Sequence, residues 1–87
     1  MFSRRARECA EIKDFVETLH PRSFPHCWYH GEKMVYEVAF VGGLITITRE
    51  DFADKTKEGH DDKVWKAKVR RELGIHPKYS ADNQQSN

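Results

Sequence analysis

The sequence lacks most of the features by which a function is read directly from a chain. None of its 87 residues belongs to an apolar run approaching the ~18 that a membrane-spanning helix needs, so no membrane association of that kind is expected. Two cysteines, Cys9 and Cys27, can form at most one bridge, too few for the disulfide framework of a small secreted domain. Free thiols in a reducing, cytoplasmic setting are the expectation. The basic start, Arg4-Arg5-Ala6-Arg7, is followed by Glu8, Glu11, Lys13 and Asp14 rather than by an apolar stretch, so no secretory signal is expected. No glycine-rich phosphate loop is present either, because Gly42-Gly43 stands between two strand-like runs. Neither sign of charge dominates: 15 basic against 14 acidic residues give a formal net charge of +1, which argues against a polyanion binder working by bulk charge.

What the chain does have is enough apolar content, 38% hydrophobic residues, for one small core, beside an above-average 33% charged. Cys9, Ile12, Val16 and Leu19 recur at helical spacing, with Phe15 widening the stripe, and predict a helix over about 4–19 with Ser3 as N-cap. Pro21 ends it, and a loop holding Pro21 and Pro25 follows. From Cys27 to Arg49 the period changes from helical to two, predicting strands at 27–30, 34–41 and 44–49. Gly31-Glu32 and Gly42-Gly43 are expected as two-residue turns. That register sets Val41 opposite Leu44, Phe40 opposite Ile45, Val38 opposite Ile47 and Tyr36 opposite Arg49. Cys27, Tyr29, Tyr36, Val38, Phe40, Ile45 and Ile47 then share one apolar face.

Thr48-Arg49-Glu50-Asp51 resembles a helix N-terminal cap before Phe52, and predicts a short helical turn there. Lys55–His60 reads as a polar loop. Asp61 or Asp62 is expected to cap a last helix, with Asp62 and Lys66 as an i,i+4 pair. Trp65, Val69 and Leu73 form its apolar stripe, Gly74 its left-handed C-cap, and Pro77 its stop. The fold class is therefore α+β: one domain over 1–78, helix, three-stranded antiparallel meander, helix, with the helices packed on one sheet face. Residues 79–87 are polar and without periodicity, a tail expected to be disordered.

No constellation points to catalysis or to a cofactor. His20, His26, Cys27 and His30 are residue types that bind zinc, but strand geometry sends Cys27 and His30 to opposite faces. His26 and His30 would lie roughly 13 Å apart in a strand. The His60-Asp61-Asp62 cluster sits where a helix must start, and capping explains it without chemistry. Both thiols fall on expected apolar stripes, where a cysteine is inert rather than activated. No metal, cofactor, small-molecule substrate or enzymatic activity is expected.

Two surfaces remain. The sheet face turned from the helices would carry Trp28, Val35, Ala39, Val41 and Leu44, more apolar than water requires; Trp28, Val35, Val41 and Leu44 are the candidate protein-interface residues. The segment near Phe52 or the C-terminal tail could instead cover them. The basic residues Arg4, Arg5, Lys63, Lys66 and Arg70 are candidate nucleic-acid contacts. The element order is also that of double-stranded-RNA-binding domains and of HicA-type RNases. Lys66-Ala67-Lys68 is similar to a fragment of the basic helix of the former, without its paired lysines at the helix start, and His30-Gly31 does not match the Gly-Ser-His of the latter. The likeness is of element order and implies no family. The reading is a small non-enzymatic binding or regulatory protein of adaptor or inhibitor type, such as phages and mobile elements encode. It would engage a protein partner or a second copy through the open face, with RNA or DNA binding by the last helix as the alternative.

Overall fold

A computed structural model describes residues 3–58 and 62–75. Helix α1 spans Arg4–Leu19, and Ser3 caps it by accepting a hydrogen bond from the Ala6 amide at 3.1 Å. Strands β1 (His26–His30), β2 (Val35–Phe40) and β3 (Gly43–Thr48) form one antiparallel sheet in the order β1-β2-β3. Helix α2 (Arg49–Ala53) follows directly, with the Thr48 hydroxyl accepting from the Asp51 amide at 3.0 Å. A two-stranded ribbon, β4 (Lys57–Glu58) with β5 (Asp62–Lys63), leads into helix α3 (Val64–Ile75). The fold is α+β, with the helices on one face of the meander.

The core forms where the apolar stripes of α1 and α3 meet the inward face of the sheet. Ile12 and Val16 from α1, Trp65, Val69 and Leu73 from α3, and Tyr36, Val38, Ile45 and Ile47 from the strands are all buried. Phe15 meets Trp65 edge-on at 5.3 Å between ring centroids. Phe52 lies between Tyr36 (5.0 Å) and Trp65 (5.2 Å), so α2 closes the core on the helical side, and among the described residues no helix covers the opposite sheet face.

Both turns differ from expectation by two residues. Phe40 pairs with Gly43, so Val41-Gly42 is the turn, with Gly42 at φ 124°, and Val41 does not oppose Leu44. Tyr36 pairs with Ile47, and Val38 with Ile45. His30 pairs with Val35, so Gly31–Met34 make a four-residue turn, and Met34 leaves the strand at φ 56°. Because side chains alternate with period two, a slip of two residues changes every partner and no face. The apolar face is therefore the expected one.

The start and end of α3 also differ. Asp62 belongs to β5 and pairs with Glu58, so the helix starts at Val64, and Asp62–Lys66 is not an intrahelical pair. Gly74 lies inside α3 rather than capping it, because the helix continues to Ile75. His60, Asp61, Pro77 and the 79–87 tail lie outside the described residues.

Candidate functional site

The open face follows from the register. Its rows across the sheet are His26, Ala39 and Leu44; then Trp28, Glu37 and Thr46; then His30, Val35 and Thr48. Leu44 is 54% exposed and Trp28 37%, while Val35 and Ala39 are half-buried. Trp28 donates its indole N–H to Glu37 Oε1 at 2.8 Å, and the His26 ring lies 5.7 Å from the indole. The polar edge of the tryptophan is thus satisfied within the chain. Val41, in the turn, is 44% exposed.

Sequence reasoning missed Phe24. It is 76% exposed and held at φ 50°, between the buried Ser23 and Pro25. The Ser23 carbonyl accepts from the Val41 amide at 2.8 Å, so Phe24, Val41 and Leu44 gather at one end of the sheet. A bulky residue at positive φ carries backbone strain, which Phe24 shares with Met34. Nothing in residue periodicity marks it.

On the opposite side of the molecule, Glu8 leaves the polar face of α1 to which its spacing assigns it. Its carboxylate accepts from Arg5 Nη1 at 2.7 Å and from the Tyr36 hydroxyl, and Arg5 also donates to that hydroxyl at 2.7 Å. Burial works to raise the Glu8 pKa, but the hydrogen bonds from Tyr36 and Arg5 outweigh it and hold the carboxyl below its usual range. Burial, reinforced by Glu8, pushes Tyr36 up to about 12. The Arg5 guanidinium also stacks on Tyr29, 4.7 Å from the ring centroid.

Arg4, Arg5 and Lys63 line one groove of about 290 Å³ with Arg49 and Lys55, beside Glu8 and Glu11. Lys66 and Arg70 are not in that groove; both lie over the Phe15 ring, at 5.1 and 5.4 Å. The five expected basic residues thus divide into a groove group and a Phe15 group. Lys68 is engaged by Asp51 at 3.9 Å.

Cys9 and Cys27 are free and line a second cavity, of about 440 Å³, between α1 and β1. Burial raises both thiols above their ordinary value. Among the described residues no three of His, Cys, Asp and Glu are grouped as metal ligands, and no helix is long and apolar enough to cross a membrane. In comparisons with known proteins, no family model, no curated protein and no solved structure matches the chain.

Proposed function

We propose that this chain is a small non-enzymatic binding protein, of adaptor or inhibitor type, that docks a protein partner on the open face of its sheet. One observation carries the reading. Phe24, Trp28, Val41 and Leu44 are four of the five large hydrophobic residues exposed among those described, and all lie on that face or at its turn end. Solvent does not favour such a grouping, and the helices that could cover it pack on the other side. An aromatic ring framed by smaller apolar groups, with one carboxylate at Glu37, suits an apolar segment carrying a cationic or hydrogen-bond-donating residue.

The test compares three immobilised proteins in nuclease-treated extract of the native host: the unaltered chain, Trp28→Ala with Leu44→Glu, and Lys66→Glu with Arg70→Glu. The reading expects a protein captured by the first and third and lost from the second, whose circular dichroism stays unchanged. Titration of that purified protein should then shift amide resonances of 24–30 and 35–48. Capture that survives Trp28→Ala with Leu44→Glu overturns the reading.

A second reading, RNA or DNA binding, draws on Arg4, Arg5, Arg49, Lys55 and Lys63 lining a single groove. It expects binding to fall steeply with salt and to be lost in Arg49→Glu with Lys63→Glu.

A further inference from the structure

We infer that β3 is a dimerisation edge: two copies of this chain pair β3 against β3 in antiparallel register to make one six-stranded sheet. The inference does not need the open-face reading, because it starts from the backbone groups of the edge, although Leu44 belongs to both surfaces.

The first argument is where the backbone groups point. The Arg49 amide donates to the Met34 carbonyl at 3.0 Å, one residue beyond the last β2–β3 pair. Hydrogen-bonded and non-hydrogen-bonded pairs alternate along an antiparallel ladder, so Thr48, Thr46 and Leu44 turn their N–H and C=O groups away from β2. Among the described residues, the outward groups of Leu44 and Thr46 and the Thr48 N–H have no partner, whereas the Thr48 C=O, at the N-cap of α2, accepts the first bond of that helix. The other edge strand, β1, is differently placed, because α1 packs along it.

The second argument is chemical. Monomeric proteins blunt an exposed edge with lysine, proline, a bulge or a very short strand. β3 has none of these: Gly43-Leu44-Ile45-Thr46-Ile47-Thr48 carries no charge and no proline over six paired residues. In a chain that is 33% charged, an uncharged edge is the one that pairing requires.

The third argument is self-complementarity. A twofold axis through Thr46 sets Thr46 against Thr46 and Leu44 against Thr48 of the other copy on the open face. Ile45 then meets Ile47 on the inner face, and Arg49 meets Gly43. All three outward residues pair in this register, no like charges oppose, and threonine–threonine and β-branched pairs are favourable across strands. The formal net charge of +1 opposes association only weakly. A strand pair of this length, about 20 Å, buries less than the roughly 1,600 Å² total of a standard stable interface. The dimer is therefore reversible and depends on concentration.

The experiment is sedimentation of the full chain from about 5 to 500 µM, with amide exchange followed by NMR at both ends of the range. The expected result is a monomer–dimer equilibrium in which the Leu44, Thr46 and Thr48 amides gain protection as the dimer fills. Thr46→Pro removes an outward amide without touching the β2 ladder, and should weaken the dimer at least tenfold with circular dichroism unchanged. Thr46→Lys repeats the test with a charge should proline disturb the strand. A monomer at every concentration overturns the inference. So does a dimer that survives both variants, or edge amides already protected in the monomer, which would mean that residues 76–87 cover the strand. Leu44 belongs to both surfaces, so Trp28→Ala alone, on β1 at the far edge of the sheet, is the variant whose loss of partner capture bears on the open face, and with it the two readings fail separately.

Discussion

Replacing Glu8 with alanine tests the clamp between α1 and the sheet, and its size can be worked from the contacts. Glu8 has a side chain only 16% exposed and engages Arg4 at 3.4 Å, Arg5 at 2.7 Å and the Tyr36 hydroxyl. The Arg4 contact, on a side chain 76% exposed, belongs with surface pairs worth about 0.2–1 kcal/mol. The Tyr36 contact is a hydrogen bond from a buried residue to a charge, of a kind worth about 1.5–3 kcal/mol. Part is recovered, because Arg5 keeps its bond to the Tyr36 hydroxyl at 2.7 Å. The expected loss at pH 7 is about 1.5–2.5 kcal/mol, measured by urea denaturation with tryptophan fluorescence. The pH dependence supplies the control. The Glu8 carboxyl is held below its ordinary 4.5, so its contribution is complete above that value and is lost as pH falls through the lower folded value. The stability gap between the unaltered chain and Glu8→Ala should therefore narrow on acidification from pH 6 towards pH 2.5. A gap below about 0.5 kcal/mol at pH 7, or one as large at pH 2.5 as at pH 7, refutes the clamp.

Tyr36, within the same clamp, and two glycines elsewhere in the fold give further expectations. Tyr36, pushed up to about 12 from its ordinary 10, contributes stability in full below pH 10 and loses it as pH rises through 12. Alkaline titration of tyrosinate absorbance should show one late phase that vanishes in Tyr36→Phe; a single phase near 10 refutes the assignment. The two glycines should respond to alanine with opposite signs. Gly42→Ala forces a side chain into φ 124° and should cost about 1–2 kcal/mol. Gly74→Ala adds a methyl group to open space within α3 and should stabilise by several tenths to about 1 kcal/mol. Gly74→Ala would instead destabilise if Gly74 were a left-handed cap, and thermal denaturation decides.

The fold was legible because it rests on periodicity. The stripe Ile12–Val16 and the stripe Trp65–Val69–Leu73 became the buried faces of α1 and α3, and Ser3 and Thr48 cap as their side-chain chemistry suggests. Turn positions were less legible. Gly42-Gly43 offers two glycines where one positive φ is needed, and the chain uses Gly42 with Val41 rather than with Gly43. The β2–β3 partners consequently moved by two residues while the faces held. The start of α3 was misread for a different reason. Asp62 is a good cap in isolation, but pairing of Asp62-Lys63 with Lys57-Glu58 holds it in a strand, a contact between separate segments that local propensity does not contain.

The proposed interaction surfaces and the Glu8 clamp divide along the same line. Trp28 and Leu44 could be assigned to the open face because period-two alternation alone places them there. Glu8 and Phe24 could not. Glu8 lies on the polar side of its helix by spacing, and becomes half-buried only because Tyr36, 28 residues away, brings its hydroxyl to the carboxylate. Phe24 lies in a loop whose course is fixed by the Ser23–Val41 hydrogen bond, another contact distant in sequence. Both are consequences of the sheet docking against what precedes it, so they exist only once the register does. The same dependence applies to the β3 edge. Its lack of charge is visible in the sequence, but that Leu44, Thr46 and Thr48 are the residues turning amides outward follows from the Arg49–Met34 bond that fixes the phase of the ladder. A surface written in side-chain alternation can be read from one strand, whereas a surface written in backbone polarity needs the pairing of two.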